Sequence, residues 1–391
     1  MTKSAATQND TATVGAQFIA PEASPEHGQK GGVSGWRECK LGDILHFGNG
    51  KTRPKHDGDI PVYGGNGVLG YANQSNYEGE TIVIGRVGAY CGAVYYENRP
   101  IWVSDNALSA FPKSGYDTKY LYYFLKNMDL NSHAGGSSHP LVTQTLLNSL
   151  DVDICIEPSE QKAIAAVLSS LDDKIDLLHR QNQTLEAMAQ TLFRQWFIEE
   201  AREDWETKKI KDLVEIQSGF AFKSSTFSDV GKYKLITIKA VQDGYLDITN
   251  ADEIDFIADK VPSYCILVKN DILLSLTGNV GRCCLVDRTN LLLNQRVAKL
   301  KPIEDSNWAF TYILFRQTAM KQNLEDLSKG SAQANLSPIE TGLIEIVVPK
   351  DDFFIKFSAE VTPLMLKVMS NKIQIQTLTQ LRDTLLPKLM S

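Results

Sequence analysis

Apolar residues recur every three or four positions along two long segments of this chain, the spacing of one face of an α-helix. The first segment follows Pro158, with Ser159 placed to cap the helix and Glu160 in its first turn, where a negative charge suits the helix dipole. The second segment repeats the pattern at the end of the sequence. We predict two spacer helices, over residues 158–200 and 351–391, each carrying the seam of a coiled coil.

The two seams fit each other when the helices run antiparallel. The first seam contains Ile164, Leu168, Leu171, Ile175, Leu178, Leu185, Ala189, Leu192 and Trp196. The second contains Val361, Leu364, Val368, Ile375, Leu378, Leu385 and Leu389. If facing residue numbers add to 553, almost every layer is matched in character, and Asn182 faces Asn371. The exception is Leu171 opposite Arg382, whose long side chain can reach out to water.

Two residues interrupt these seams and carry structural predictions of their own. Asn182 and Asn371 are polar residues at seam positions, so we predict that their amides pair and fix the coiled-coil register. The opposing interpretation is that both amides are solvated on frayed or bent helices. Pro363 removes one helix hydrogen bond, which predicts that the second helix starts or kinks there.

The chain also contains the same sequence features twice. Gln183-Thr184-Leu185 returns 193 positions later as Gln376-Thr377-Leu378. Other matching residues lie 169 positions apart (Trp36, Asp43 and Gly50 with Trp205, Asp212 and Gly219) or 189 positions apart (Gly92, Asp105-Asn106 and Tyr123 with Gly281, Asn294-Gln295 and Tyr312). The repeat is too long for a solenoid period. It predicts a duplicated molecule with a pseudo-two-fold axis, and a target that is also in two parts.

Short alternating apolar runs separated by Gly- and Asn-rich turns fill the sequence before each long helix. We predict strands at 81–84, 93–96, 152–156, 234–239, 271–275 and 344–348, with shorter helices near 119–126 and 308–322. The domain boundaries that follow are a disordered tail over 1–35, β-rich domains over 36–157 and 205–350, and the two spacer helices.

Composition narrows the function without deciding it. The 391 residues carry a net charge of −7, which argues mildly against an isolated nucleic-acid binder and suggests that a partner supplies part of the phosphate contact. The six cysteines form no C-x-x-C pair and no zinc-type array. No signal peptide or apolar run of membrane-spanning length is evident, so we expect a cytoplasmic protein.

Several matches to catalytic or nucleotide-binding motifs fail on their context. Gly65-Asn66-Gly67-Val68-Leu69-Gly70 fits G-x-G-x-x-G, but a turn-like sequence follows it where a dinucleotide site needs a helix. Gly50-Lys51-Thr52 resembles the end of a P-loop, but Leu45 stands where the first glycine is required. No amino-methyltransferase, hydrolase or nuclease motif is found, and no metal ligands stand out. We therefore predict a chain without a catalytic centre.

The remaining polar residues suit contact with DNA, because Lys and Arg reach phosphates and Arg and Asn read base edges. The candidates in the first domain are Lys51, Arg53, Lys55, Tyr63, Asn66, Arg86, Tyr90, Ser138 and His139. Those in the second domain are Lys223, Lys239, Asn279, Arg282, Gln295, Arg296, Lys329 and Gln333. Any one of them is equally well explained as a solvated surface residue. Their recurrence in both domains favours a shared binding role.

These features resemble the specificity (S) subunit of type I restriction–modification systems. The likeness covers about residues 36–391 and rests on Y-G-G-N-G at 63–67, I-G-R-V-G at 84–88, W-V-S-D-N-A-L at 102–108, G-F-A-F-K-S at 219–224, S-E-Q-K-A-I at 159–164 and L-R-D-T-L-L-P-K-L at 381–389. The second repeat departs from the pattern, since Phe353-Phe354-Ile355-Lys356 replaces the Glu-Gln that usually opens its helix.

The resemblance implies an α+β fold in which two target-recognition domains are joined by two long helices pairing as an antiparallel coiled coil. Each domain would read one half of a bipartite double-stranded DNA site, and the helices would dock two methyltransferase (M) subunits, to which restriction (R) subunits are added. This chain would then bind no cofactor, because S-adenosylmethionine, ATP and magnesium belong to the partners. The alternative is a coiled-coil scaffold with duplicated β-rich modules, which would show no salt-sensitive DNA affinity. The missing motifs argue against a self-sufficient methyltransferase.

Overall fold

The computed structural model describes residues 35–135, 140–329, 335–349 and 351–391, with the backbone alone at Asp351. The tail expected over residues 1–35 therefore lies outside the described residues, except for Gly35. We call residues 36–157 the first module and residues 205–350 the second module. Within the described part of the chain, no helix is long and apolar enough to cross a bilayer.

In its described residues, the first module combines nine strands with three short α-helices and a 3-10 turn, Leu130–His133. The strands are β1 (Trp36–Lys40), β2 (Leu45–Asn49), β3 (Ile60–Gly64), β4 (Gly67–Ala72), β5 (Glu80–Gly85), β6 (Val94–Asn98), β7 (Trp102–Val103), β8 (Ala107–Pro112) and β9 (Asp151–Cys155). The helices are α1 (Leu41–Ile44), α2 (Thr118–Asn127) and α3 (Gln144–Ser149). Helix α4 (Pro158–Arg194) follows and ends in a π-helical turn, Gln195–Glu199.

The second module repeats this order of elements. Its strands are β10 (Glu206–Lys209), β11 (Val214–Ser218), β12 (Tyr233–Ile236), β13 (Glu253–Ile254), β14 (Ile266–Leu267), β15 (Ile272–Ser275), β16 (Cys283–Leu285), β17 (Leu291–Leu293), β18 (Val297–Pro302) and β19 (Glu345–Val348). Its helices are α5 (Trp308–Phe315), α6 (Thr318–Lys329) and α7 (Pro338–Gly342). Helix α8 (Asp351–Leu389) ends the chain.

Equivalent sheets build the two modules. An antiparallel four-stranded sheet has the order β2-β8-β5-β6 in the first module and β11-β18-β15-β16 in the second. A smaller sheet pairs β3 in parallel with β7, and its counterpart pairs β12 in parallel with β17. The Asp43 carboxylate accepts from the backbone N–H of Lys40 at 3.0 Å, and 169 positions later Asp212 accepts from Lys209 at 2.9 Å. The duplication therefore extends to single hydrogen bonds.

The strands predicted from alternation are all present, with ends shifted by up to three residues. The single helix predicted near 308–322 is wrong, because the chain breaks between α5 and α6 at Arg316 and Gln317. Ser159 does not cap α4. The helix begins one residue earlier, with Glu157 as N-cap and Pro158 in the first turn, where the missing proline N–H costs nothing. Glu160 lies in the first turn, as predicted.

The two long helices pair as an antiparallel coiled coil, in the register that the seams predict. Nδ2 of Asn371 donates to Oδ1 of Asn182 at 2.9 Å and to Oε1 of Gln181 at 2.8 Å. Arg382 extends from the layer of Leu171 to an ion pair with Asp172 at 2.7 Å. The amides do not fully satisfy each other, since the buried Oδ1 of Asn371 has no partner among the described residues.

Pro363 neither starts nor ends the second helix. Helix α8 begins twelve residues earlier, at Asp351, and continues through both Pro363 and Pro387. Pro363 is exposed, so the carbonyl that loses its helical donor four residues earlier is at the solvent face. The apolar face of this stretch stays in place because Val361 and Met365 are fully buried against the second module.

Each module packs on one end of the coiled coil. The core of the first module includes Ile164 and Leu168 near the start of α4, together with Leu386 and Met390 at the end of the chain. The core of the second module takes Phe193, Phe197, Phe354, Phe357 and Val361 from the opposite ends of the same helices. The central turns of α4 and α8 thus separate the two modules.

Candidate nucleic-acid interface

Three loops meet at one edge of the first module. Backbone N–H groups of Gly85 and Gly92 bond to Ala93 and Gly85, which closes the loop after β5. At the start of that loop, Arg86 donates to the carbonyl of Asn106 at 2.9 Å and accepts from Val142 at 2.9 Å. These two hydrogen bonds place the loop between the β7–β8 turn and the segment before α3.

The turn between β3 and β4 joins the same edge. Its two central residues are Gly65 and Asn66, and a Cβ at Gly85 would lie 2.3 Å from the Gly65 carbonyl oxygen. Glycine at position 85 therefore allows two backbones to touch, which holds Asn66 beside the loop that follows β5. We call residues 65–66, 86–90 and 105–106 the first rim.

The second module builds the same edge with the same backbone bonds. Leu276 donates to the carbonyl of Arg296 at 3.0 Å and accepts from the N–H of Leu336 at 2.7 Å, as Arg86 does with Asn106 and Val142. Gly281 closes the loop onto Ser275, as Gly92 does onto Gly85. We call residues 237–239, 277–282 and 295–296 the second rim.

This equivalence corrects one detail of the repeat. Ser104 donates to a β3 carbonyl and Asn294 to a β12 carbonyl, at 2.9 and 3.1 Å, so these two residues correspond. Asp105-Asn106 therefore matches Gln295-Arg296, one position beyond the pairing read from the sequence. A single-residue shift arises because the connections before these turns differ in length, which a constant offset does not capture.

Eight of the seventeen predicted DNA-binding residues lie in the two rims, and six of these eight are exposed. Tyr90 is 61% exposed, the largest value among the apolar side chains of the first rim. The other predicted DNA-binding residues that are exposed in the rims are Asn66, Lys239, Asn279, Gln295 and Arg296. They present amide, ammonium, guanidinium and aromatic groups, which are the types that contact phosphates and base edges.

Two of the arginines that are predicted to bind DNA lie deeper in the rims. Arg282 is half-buried and donates to Oε1 of Gln242. When the Asn279 amide is oriented to satisfy both side chains, its oxygen accepts a hydrogen bond from Nη2 of Arg282 at 2.9 Å. Arg86 is also half-buried, and its Nε has no hydrogen-bond partner among the described residues. Arg282 therefore supports the second rim from below, while Arg86 keeps unused hydrogen-bonding capacity in the first.

A basic run lies beside the first rim. Lys51 pairs in parallel with Ser104 next to the β7–β8 turn, and both Lys51 and Lys55 are exposed. Arg53 donates weakly to the carbonyl of Tyr71 at 3.4 Å and lies 3.7 Å from the Asp57 carboxylate. Exposed pairs of this kind are weak, so Arg53 keeps most of its freedom to reach a phosphate.

The basic residues near the second rim differ in their freedom. Lys223 is exposed at the start of a short helical turn after β11. Lys329 forms an ion pair with Asp326 at 2.8 Å at the end of α6, and the hydrogen bond to that carboxylate raises the lysine pKa. The positive charge of Lys329 is thus partly offset by its neighbour.

Tyr63, one of the predicted DNA-binding residues, is a buried residue of the first module. It is 6% exposed in β3, and its hydroxyl donates to Oε1 of Glu97 at 2.6 Å. Burial, and then the Glu97 carboxylate, raise the pKa of Tyr63, so it stays neutral and structural. Ser138, His139 and Gln333 lie outside the described residues.

The sequence did not single out some residues of the rims. Thr277 pairs with Asn335 and donates to its amide oxygen at 2.7 Å, and Gln242 supports Arg282 from a separate loop. Asp105 and Asn106 had been noted for their recurrence but not as binding residues, and both are exposed in the first rim. Their signal was the motif at 102–108, whose turn occupies the same place in the fold as residues 292–298 of the second module.

The described residues contain no cluster suited to a metal ion. In residues 35–135, 140–329, 335–349 and 351–391, no group of three or more His, Cys, Asp or Glu side chains is arranged to hold one. The cysteines Cys283 and Cys284 are fully buried, and desolvation raises the pKa of Cys283 to about 12, so it is not a reactive thiolate. The arrangement suits recognition of a polyanion at two rims.

Comparison with known proteins gives one consistent relationship. The family model of the type I restriction modification DNA specificity domain matches the chain twice, over residues 33–187 and 202–352. The chain is 26% identical over 324 residues to the type I restriction enzyme MjaIX specificity subunit of Methanocaldococcus jannaschii, covering 76% of this chain and 74% of that protein. It is 24% identical over 326 residues to the HindI specificity subunit of Haemophilus influenzae, covering 64% and 71%.

A solved structure has the same fold. The crystal structure of the type I restriction–modification system S subunit from M. genitalium superposes with a TM-score of 0.67 at 20% sequence identity. The superposition covers 91% of this chain and 96% of that one. The duplicated modules and their paired helices are therefore a shared architecture.

Proposed function

The chain belongs to the family of type I restriction–modification DNA specificity subunits, and from this premise we propose that it reads a bipartite duplex target, one half-site per module. A specificity subunit is not itself the catalyst. The chemistry of methylation and cleavage is assigned to partner subunits, which also hold S-adenosylmethionine, ATP and magnesium. This chain supplies the sequence recognition and the geometry.

The observation that carries the proposal is the matched pair of rims. Arg86 and Leu276 occupy the same place in the same hydrogen-bonded frame, yet one is an arginine and the other an apolar residue. A frame that is kept while its side chains change is suited to reading two different half-sites. Exposed Asn66 and Tyr90 in the first rim, and Gln295 and Arg296 in the second, are the groups proposed to meet the bases.

Basic residues at the flanks are proposed to bind phosphates. Lys51, Arg53 and Lys55 serve the first rim, and Lys223 and Lys239 serve the second. These contacts fix the position of each module on the duplex without reading sequence. Because the chain as a whole carries a net charge of −7, partner subunits are expected to add phosphate contacts.

The coiled coil is proposed to act as a ruler between the half-sites. Helix α4 has 37 residues and would span about 55 Å at 1.5 Å per residue. Its two ends lie in the cores of different modules, so the distance between the rims depends on helix length and register. A rigid separation selects DNA in which two half-sites have a fixed gap.

The same helices offer two equivalent docking patches for methyltransferase subunits. Met188 and Leu381 lie 193 positions apart, at matching places of the repeat, and are 48% and 45% exposed. Thr184 and Thr191 flank the first, and Thr377 and Thr384 flank the second, all of them exposed. Two matched apolar patches favour two copies of one partner. Restriction subunits are proposed to join that assembly.

Methylation mapping of the genome tests this proposal. The chain is co-expressed with the methyltransferase subunit of its own host, and the methylated motif is determined by single-molecule sequencing. The purified chain alone with S-adenosylmethionine should methylate nothing. Replacing residues 36–157 by another recognition module should change one half-site and leave the gap and the other half-site unchanged.

Lengthening the coiled coil should change the gap between the half-sites and leave the half-sites themselves unchanged. A seven-residue insertion after Asp176 and a matched one before Leu378 keep the heptad phase and add about 10 Å. At these positions the contacts of Lys372 and Gln376 with the second module are kept. The gap should lengthen by up to about three base pairs, at 3.4 Å each, while both half-sites stay the same. A half-site altered by the insertion, or a motif unaffected by the module exchange, would rule out the proposal.

A further inference from the structure

A short segment links the coiled coil to the second rim. Nζ of Lys372, on α8, donates to the carbonyl oxygen of Gly244 at 2.6 Å. The N–H of the same glycine donates to the carbonyl of Cys283 at 2.9 Å, next to Arg282. Gly244 thus connects α8 to β16, the strand that follows the loop over residues 277–282 of the second rim.

Buried charges hold this segment from the helix side. Nη1 of Arg316 lies 3.0 Å from Oε2 of Glu186, and Lys372 lies 3.3 Å from the other oxygen of the same carboxylate. Arg316 also approaches the Asp243 carboxylate at 3.8 Å. The side chains of Arg316, Glu186 and Lys372 are 12%, 22% and 20% exposed, so water screens these interactions weakly.

Gly244 is required at its position for two reasons. Its φ is +88°, a conformation that side chains with a Cβ rarely adopt. A Cβ there would also lie 2.8 Å from Nη2 of Arg316. Only glycine therefore lets the segment pass so close to the guanidinium of Arg316. Arg316 in turn sets the distance between this segment and the coiled coil.

The other end of the segment supports the rim itself. Oε1 of Gln242 accepts from Nη1 of Arg282, and Nε2 of Gln242 donates to the backbone carbonyl of Lys239 at 2.8 Å. Both Lys239 and Arg282 belong to the second rim. We call Glu186, Arg316, Lys372 and residues 242–244 the clasp.

Among its described residues, the first module has no equivalent of the clasp. The positions that correspond to Glu186, Lys372 and Arg316 in the repeat are Thr379, His179 and Asn127. None of these three forms an ion pair with another described residue, and His179 is exposed. The duplicated fold therefore provides its own control, a module on the same coiled coil without these charges.

We infer that the clasp positions Arg282 and, through it, the exposed amide of Asn279 in the second rim. Base discrimination at the second half-site, but not at the first, then depends on the coiled coil. This inference rests on the proposed function. Glu186, Arg316 and Lys372 are positioning residues, since they act on the rim through Gln242 and Gly244 and do not reach the DNA. A small shift of the helices would be passed to one rim alone.

Lys372→Met tests the inference, with His179→Met at the equivalent position as the matched control. Methionine keeps much of the side-chain volume but loses the bond to Gly244 and the ion pair with Glu186. Each variant is assembled with the methyltransferase subunit, and binding is measured on the mapped target and on duplexes with one substituted base in either half-site. Lys372→Met should reduce discrimination about tenfold at the half-site of the second module and leave the other unchanged. His179→Met should change neither.

Gly244→Ala approaches the same contact from the loop and keeps the inference testable if Lys372→Met fails to fold. It should weaken the same half-site, and the double variant should be no worse than the more affected single variant, because both break one connection. Equal loss at both half-sites, or no loss at either from Lys372→Met and Gly244→Ala, would overturn the inference. If the unmodified complex shows no discrimination at any base, the proposed function itself fails.

Discussion

The first module is fastened to the coiled coil through one ion pair between the two helices, whereas the second is fastened through a charged network that also bonds to its own loop. In the first, Tyr123 donates to Asp172 at 2.8 Å, and the same carboxylate pairs with Arg382 of the other helix at 2.7 Å. In the second, the equivalent tyrosine, Tyr312, accepts from Arg316, which pairs with Glu186. The tyrosine is common to both modules, but its charged partners are not.

The apolar attachments differ as well. Phe193 on α4 stacks with Phe310 of α5, and the ring of Phe197, in the π-helical turn after α4, is tilted against the same ring. Further aromatic rings of α8 complete the cluster at the second module. At the first module the corresponding contacts are mostly aliphatic and include Leu168 and Leu386. Aromatic rings bury more surface per residue, so the second attachment contains the larger apolar contribution.

The comparison shows which part of a duplicated fold is free to change. Backbone hydrogen bonds that shape the rims recur at equivalent positions, including those of Arg86 and Leu276. Side-chain contacts to the coiled coil have diverged. Since the backbone frame is common while the charged contacts to the coiled coil differ, each module can change what it reads, and how firmly it is held, without disturbing the other.

The largest effect is expected where the two halves are alike, at the proposed docking patches. Met188→Glu or Leu381→Glu would place a charge in an apolar contact, which should weaken binding of one methyltransferase copy about 10- to 100-fold. The two losses should be similar, and the double variant should bind no copy. Stoichiometry from native mass spectrometry measures this, with Gln183→Glu as an exposed control on the same helix. If both single variants still bind two methyltransferase subunits, the docking surface lies elsewhere on the chain.

A smaller effect is expected at the fastening of the first module. Arg382→Met leaves the Asp172 carboxylate without its cation, and because that site is partly exposed the cost should be about 1–2 kcal/mol. Hydrogen exchange should rise in the first module and at the adjoining helix ends, but not in the second module. Asp383→Asn, which removes the more exposed partner of Arg382, should cost less than about 0.5 kcal/mol. Equal exchange changes in both modules would show that the fastenings are not independent.

The smallest net effect is expected at the asparagine layer, which breaks the pseudo-symmetry. Asn182 and Asn371 face each other, but the repeat places Leu178 and Ile375 at the equivalent positions. Asn182→Leu should cost about 1 kcal/mol, because Asn371 is fully buried and loses one of its two acceptors. The double change to leucine should be more stable than that single variant and raise the melting temperature above the unmodified protein.

Thermal and denaturant unfolding of the four proteins forms a double-mutant cycle for this layer. Coupling between the two substitutions is expected, since the amides share a hydrogen bond. Additive effects would show that the amides stabilise the helices separately, and the role of this layer in fixing register would then be lost.

The features that the sequence determined by itself depend on periodicity and repetition. The spacing of apolar residues gave both long helices, and matching their seams gave an antiparallel register in which Asn182 faces Asn371. Alternating runs gave the strands of both modules, and the repeat gave their equivalence. Such features are encoded by neighbours along the chain, or by the match between two copies, so they can be read without coordinates.

Tertiary structure decided the features that depend on distant partners. Tyr63 is buried because Glu97, on another strand, accepts its hydroxyl, and Arg282 supports a rim because Gln242 lies beneath it. Pro363 remains within a helix because Val361 and Met365 anchor that stretch to the second module. In each case the residue type is compatible with two structural arrangements. Packing between segments far apart in the chain selects one of them, since burial favours the arrangement in which polar groups find partners and apolar groups leave water.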